Sequence, residues 1–103
     1  MNSKLPPGWA LTSRLTCDTC GKDITDPDDA WVEWDGLQRV RLVHHRRLSP
    51  SCATDAARVP GDDHLTNIIK ISGDPDGVKY LRQAWGQSVI DWMVSKGIER
   101  ATE

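Results

Sequence analysis

Three cysteines constrain this chain more than any other feature. Cys17 and Cys20 form a C-x₂-C turn, and Cys52 stands alone further along. An odd number of cysteines does not make a disulfide framework. The stretch from Met1 to Gly8 is short, polar and proline-containing, without the apolar segment of a secretory leader. No apolar run reaches membrane-spanning length. The expected setting is therefore the cytoplasm, where thiols stay reduced. Cysteine also packs as a small hydrophobe, but this pair sits in a polar turn, with Asp18-Thr19 inside it and Gly21-Lys22 after it. Gly21 fits a position that needs positive φ. Such a turn spans one edge of a tetrahedron, the geometry that Zn²⁺ takes with thiolates and imidazoles.

The rest of the tetrahedron must come from elsewhere in the chain. Cys52 supplies one corner, and His44 or His45 the other. Strand alternation puts His44 on the face of Val40 and Leu42, taken as inward, which favours His44. If His44 packs in the core instead, His45 is the ligand. Three cysteines and one histidine leave no open coordination position, and a closed site is structural rather than catalytic.

The metal also answers a problem of size. The chain has 103 residues with no Phe, one Tyr and five Trp. A core this small is near the limit for folding unaided, and metal binding contributes folding free energy directly. A single domain over 1–103 is expected, with a loose arm at 1–9, a zinc-binding hairpin region at 10–58 and a helical region at 62–100. Residues 10–17 read as a strand entering the cysteine turn. Ala30–Trp34 and Gln38–His44 read as strands joined by an Asp35-Gly36 hairpin turn. A helix over 62–71 buries Leu65, Ile68 and Ile69, capped by Asp62 or Asp63. Asp74-Pro75 opens a second helix, with Val78, Leu81 and Trp85 as its buried stripe. Ser88 opens a third, with Val89, Ile90, Met93 and Val94 inward and Gly97 as its stop. Trp85 and Trp92 belong to the core. Trp31 and Trp34, on opposite faces of one strand, leave one tryptophan exposed.

The net charge is −2, and the halves are alike: residues 1–52 carry seven basic and seven acidic groups, 53–103 six and eight. A protein that coats nucleic acid by charge is clearly basic, so nucleic-acid contact needs a local patch. Arg39, Arg41, Arg46 and Arg47 are the densest one, with arginine forks that match phosphate oxygens. They are the first candidates for contact with a nucleic-acid or protein partner. Asp26, Asp28 and Asp29 lack the longer ligand series of a calcium loop. No glycine-rich phosphate loop is present, and no small-molecule cofactor is expected.

Zinc turn, hairpin, then helix is the order of a treble-clef finger. Its last ligand lies in the first turn of a closing helix, here Cys52 with residues 53–58. Two resemblances follow. From Leu15 to Leu81 the chain resembles small, uncharacterised zinc-binding proteins of bacteria and their phages. The matching stretches are Cys17–Cys20, Trp31–Trp34, Leu42-Val43-His44-His45, Cys52 and Gly73-Asp74-Pro75-Asp76-Gly77-Val78. From Val43 to Lys79 it is similar to HNH nucleases. That resemblance implies His44 as a catalytic-metal ligand, His45 as general base and Asn67 as its orienting partner. The chain departs from the nuclease pattern at Ser72 and at Val78-Lys79, where those enzymes have a cysteine and then Cys-His. Lys79 is cationic and has no lone pair for a metal; His64 does not fall at the matching spacing.

The sequence thus leads to a small α+β protein. A treble-clef-like or zinc-ribbon-like hairpin half, stapled by Zn²⁺, is followed by two or three helices. The expected function is that of a non-catalytic structural-zinc protein of a phage or bacterial mobile element, binding a protein or nucleic-acid partner. The alternative is a divergent HNH endonuclease with His45 as base.

Overall fold

The computed structural model describes residues 5–35, 39–45, 47, 49, 51–52 and 61–100. Its elements are β1 (Trp9–Leu11), β2 (Leu15–Thr16), β3 (Asp23–Ile24), a 3₁₀ turn (Pro27–Asp29), β4 (Ala30–Trp34), β5 (Val40–His44), β6 (Gly61–His64), α1 (Leu65–Ser72), α2 (Pro75–Trp85), α3 (Val89–Ser95) and β7 (Ile98–Arg100). The class is α+β, as the sequence predicts. The central sheet has the order β5-β4-β6, and two small ribbons, β2–β3 and β1–β7, lie beside it.

The hairpin forms where its alternation places it. Ala30 pairs with His44, Val32 with Leu42 and Trp34 with Val40. The Asp35 N–H donates to the Arg39 carbonyl at 3.3 Å near the turn; Gly36 lies outside the described residues. Ala30, Val32 and Leu42 are wholly buried. A tryptophan ladder joins their face to the helices. The rings of Trp34 and Trp85 stand 5.7 Å apart, and those of Trp85 and Trp92 5.2 Å. The Trp92 Nε1–H donates to the Val40 carbonyl at 3.3 Å. Both Trp31 and Trp34 are half-buried against the core, so the expectation that one of them faces solvent is corrected.

Other expectations are corrected by the demands of the sheet. The helix expected from 62 begins at Leu65, and Asp62 and Asp63 belong instead to β6, where Asp63 pairs with Val32. Aspartate is a poor strand former, but the open edge of β4 carries backbone groups that need partners. The cap residue of α1 is His64, without a side-chain cap bond. The arm expected over 1–9 is anchored in its second half: Leu5 is buried, and Trp9 begins β1, paired with Arg100 of β7. The strand expected over 10–17 is split into β1 and β2. The closing helical turn expected over 53–58 lies outside the described residues.

The helices start and stop largely as their signals predict. Asp74 caps α2 by accepting from the Gly77 N–H at 3.3 Å, Ser88 caps α3, and Gly86 and Gly97 take positive φ of 70° and 82°. Leu65, Ile68, Ile69, Leu81 and Trp85 are buried. In α3 the buried side is Val89, Trp92 and Met93, while Ile90 and Val94 are exposed. With only seven residues, α3 presents a narrow stripe at i, i+3, i+4.

Gly77 carries the contact between the first turn of α2 and the end of α1, because a Cβ there would collide with the Ile71 carbonyl oxygen. Gly77→Ala should destabilise the protein by about 1–3 kcal/mol through overpacking, although alanine is the better helix former. Urea unfolding measures this; a variant as stable as the parent would contradict the close approach.

Candidate metal centre

The cysteine turn is built by backbone bonds between its ends. The Cys17 N–H donates to the Lys22 carbonyl and the Gly21 N–H to the Cys17 carbonyl, both at 2.9 Å, with Gly21 at φ 78°. Strands β2 and β3 lead in and out, with Leu15 paired to Ile24. Inside the turn the N–H groups of Thr19 and Cys20 point at Cys17 Sγ, at 3.4 and 3.5 Å. Cys17 is buried and Cys20 exposed. Thr19 Oγ1 donates to the Cys52 carbonyl at 2.8 Å, which ties the turn to the third cysteine. Cys52 is buried, its N–H donating to the Ser49 carbonyl at 3.0 Å and its sulfur 3.2 Å from Ser49 Oγ.

His44, at the end of β5, completes the group. Its Nδ1 lies 3.5 Å from Cys20 Sγ and 3.7 Å from Cys52 Sγ. The ligand atoms of Cys17, Cys20, His44 and Cys52 all lie within 4.8 Å of one another, and together they could hold a metal ion. A tetrahedral zinc with ordinary bond lengths has S···N edges of about 3.5 Å, and the two His44 separations match that edge. The tautomer is suitable as well. His44 Nε2 lies 3.2 Å from the Asp23 carbonyl, which can only accept, so the proton sits on Nε2 and the Nδ1 lone pair faces the sulfurs.

The electrostatics of the thiols diverge. Burial raises the Cys17 thiol, but the N–H groups of Cys20, His44 and Thr19 outweigh it and bring the pKa down from 9.0 to about 6. For Cys52 the Ser49 hydroxyl acts downward, yet burial and the neighbouring sulfurs of Cys20 and Cys17 push it above its ordinary value. The cluster thus ionises one thiol readily and resists the next, a conflict that a bound cation removes.

Sequence reasoning missed Asp18, which couples this turn to the rest of the fold. Its N–H donates to the Leu42 carbonyl at 2.7 Å, its Oδ2 accepts from the Leu42 N–H at 2.8 Å, and Lys96 beyond α3 pairs with it at 2.8 Å. A polar residue inside a C-x₂-C turn carries no signal of so distant a partner.

The other candidate residues lie elsewhere. His45 turns away from the sulfurs: its ring stacks 5.1 Å from that of His64, and both meet Trp31 edge-on at 4.9 and 4.8 Å. Its Nδ1 accepts from the Arg47 N–H at 3.0 Å. Asn67 Nδ2 donates to Asp63 at 2.6 Å. The arginines are held by carboxylates: Arg39 by Asp35 at 2.8 Å, Arg41 by the buried Glu33 at 3.1 Å and Arg47 by Asp29 at 3.7 Å. Arg46 lies outside the described residues. Among the described residues no helix is long and apolar enough to cross a membrane.

Comparison of the chain with protein-family models, with curated proteins and with solved structures gives no match.

In the metal-free protein Cys17 should lose its proton near pH 6, seen as thiolate ultraviolet absorbance that Cys17→Ser removes. Because its folded pKa is lowered, the stability Cys17 contributes is complete above its unfolded value of 9.0 and lost as pH falls through about 6. Titration with Co²⁺ should give the absorbance of a tetrahedral thiolate complex at one ion per chain, weakening as pH falls because protons compete for the ligands.

Proposed function

We propose that this chain is a non-catalytic, zinc-stapled protein of a phage or bacterial mobile element, and that it acts in the cytoplasm by binding a protein partner. The observation that carries this reading is the closed ligand set of Cys17, Cys20, His44 and Cys52. Three sulfurs and one imidazole suit zinc, and they leave no corner for water or substrate. The domain it staples then serves as a rigid surface. A protein partner is favoured over nucleic acid because Arg39, Arg41 and Arg47 each already hold a carboxylate. Phosphate contact would have to displace those acids.

A second reading, a divergent HNH nuclease, is supported by one observation: His45 lies against His64, with Asn67 on the following helix. It ranks lower on two counts. His44, the expected ligand for a catalytic metal, stands among the cysteines. In neutral His45 the Nδ1 that accepts from Arg47 is unprotonated, so Nε2 carries the proton and is a donor rather than a base.

Plasmid DNA incubated with the purified protein and Mg²⁺ or Mn²⁺ should stay supercoiled, for the parent and for His45→Ala alike. Metal-dependent nicking that His45→Ala abolishes would overturn the non-catalytic reading. DNA binding measured across a salt series should be weak with a shallow slope; a steep slope would replace the protein partner with nucleic acid.

A further inference from the structure

A second concave site lies away from the cysteines, where the outer edge of the central sheet meets α1 and α2. Its cavity, about 560 Å³, is within the range of small-ligand sites. Its floor is apolar, with Ile68, Ile71 and Leu81 from the two helices. Trp34 and Tyr80 supply aromatic surface, and Asp62 and Asp63 of β6 line its edge. Among the described residues no basic side chain lines it.

The aromatic groups are differently held. Trp34 lies so close over Gly61 that a Cβ there would collide with the indole, and its ring also packs on Trp85. Tyr80, by contrast, is 59% exposed, although large aromatic side chains are usually withdrawn from water. Asp63 shares the sheet face of Val32 and Trp34, since it pairs with Val32 and Gly61 pairs with Trp34. Among the described residues its oxygens accept from neutral donors, the Asn67 amide at 2.6 Å and the His64 N–H at 2.7 Å. Among the described residues neither Asp62 nor Asp63 is in an ion pair, whereas Asp18, Asp23, Asp29, Glu33 and Asp35 all are. Among the described residues, no cation of the protein compensates the negative charge at this cavity.

We propose that this cavity binds an organic cation carried on an apolar stem, an alkylammonium or guanidinium group. Aromatic faces attract such a cation, the Asp63 carboxylate complements its charge, and the aliphatic floor takes its stem. An anion is opposed by the aspartates. A hard metal ion would need several oxygen ligands, which Ile68, Ile71 and Leu81 do not provide. The site does not depend on the metal centre, so its failure and that of the zinc reading are separate results.

The test is a nuclear magnetic resonance titration of the labelled full-length chain. The cationic probes are choline, Nα-acetyl-lysine amide and Nα-acetyl-arginine amide; the neutral controls are the carbon isostere of choline and Nα-acetyl-norleucine amide. Saturable shifts at the Trp34 and Tyr80 signals are expected with the cations, and binding at least about five-fold weaker with the neutral controls. Tyr80→Ala, at an exposed position, and Asp63→Asn, which keeps the shape, should each weaken cation binding by a similar factor, with melting followed as the control for folding. Tighter binding of choline identifies a free small cation as the ligand; tighter binding of the amino-acid amides identifies a side chain of a partner. Absence of saturable shifts with every cation, or equal binding of the neutral controls, overturns the proposal.

Discussion

The meeting of three sulfurs and one imidazole is the constraint on which the N-terminal half depends. The flanking strands β2 and β3 have two residues each, too few to hold a turn by ladder bonds. The end of β5 and Cys52 arrive at the same place with His44 and Cys52 facing the cysteine pair. Their proximity carries a cost. Neighbouring sulfurs hold Cys52 in its neutral form, while backbone donors draw Cys17 toward the thiolate. That imbalance is the electrostatic counterpart of the geometry. The same compactness that strains three thiols left to themselves suits them to share a divalent charge.

From this cluster, order spreads along two routes. One is polar: Asp18 grips the backbone of Leu42 on both its N–H and its carbonyl, and draws in Lys96 from beyond α3. The other is aromatic: Trp34, Trp85 and Trp92 pass contact from the hairpin to two helices, and Trp92 returns a hydrogen bond to the strand. Indoles are well suited to this in a chain without phenylalanine, since each offers a large apolar area and one donor. The helical half is thus fastened both to the cysteine turn and to the sheet.

The parts of the fold that the sequence announces are those with local causes. Asp74-Pro75, Ser88, Gly21 and Gly97 act through their own backbone or a neighbour's, and they stand where they are expected. The hairpin strands show their period of two, and the cysteine spacing implies its own geometry. What the sequence hides is decided by distant partners. Asp62-Asp63 reads as a helix cap until the open edge of β4 claims it. Ile98–Arg100 falls within the region read as helical until Trp9–Leu11 comes to lie beside it as a strand. Ile90 and Val94 read as core because hydrophobicity alone does not say how wide a buried stripe a short helix needs. The choice between adjacent histidines turned on alternation. His44 shares the face of Leu42, as that period implies, and His45 reverses away to Trp31 and His64.

The β1–β7 ribbon has a mechanical consequence. Trp9 lies opposite Arg100 and Leu11 opposite Ile98, so the outer ends of the two strands are side by side. Tension applied through those ends would not shear the ladder but unzip it, one rung after another. Three rungs, with the Arg100 guanidinium resting on the Trp9 ring, form a weak latch. It would yield under a light load while the tryptophan ladder and the sulfur cluster behind it stayed closed.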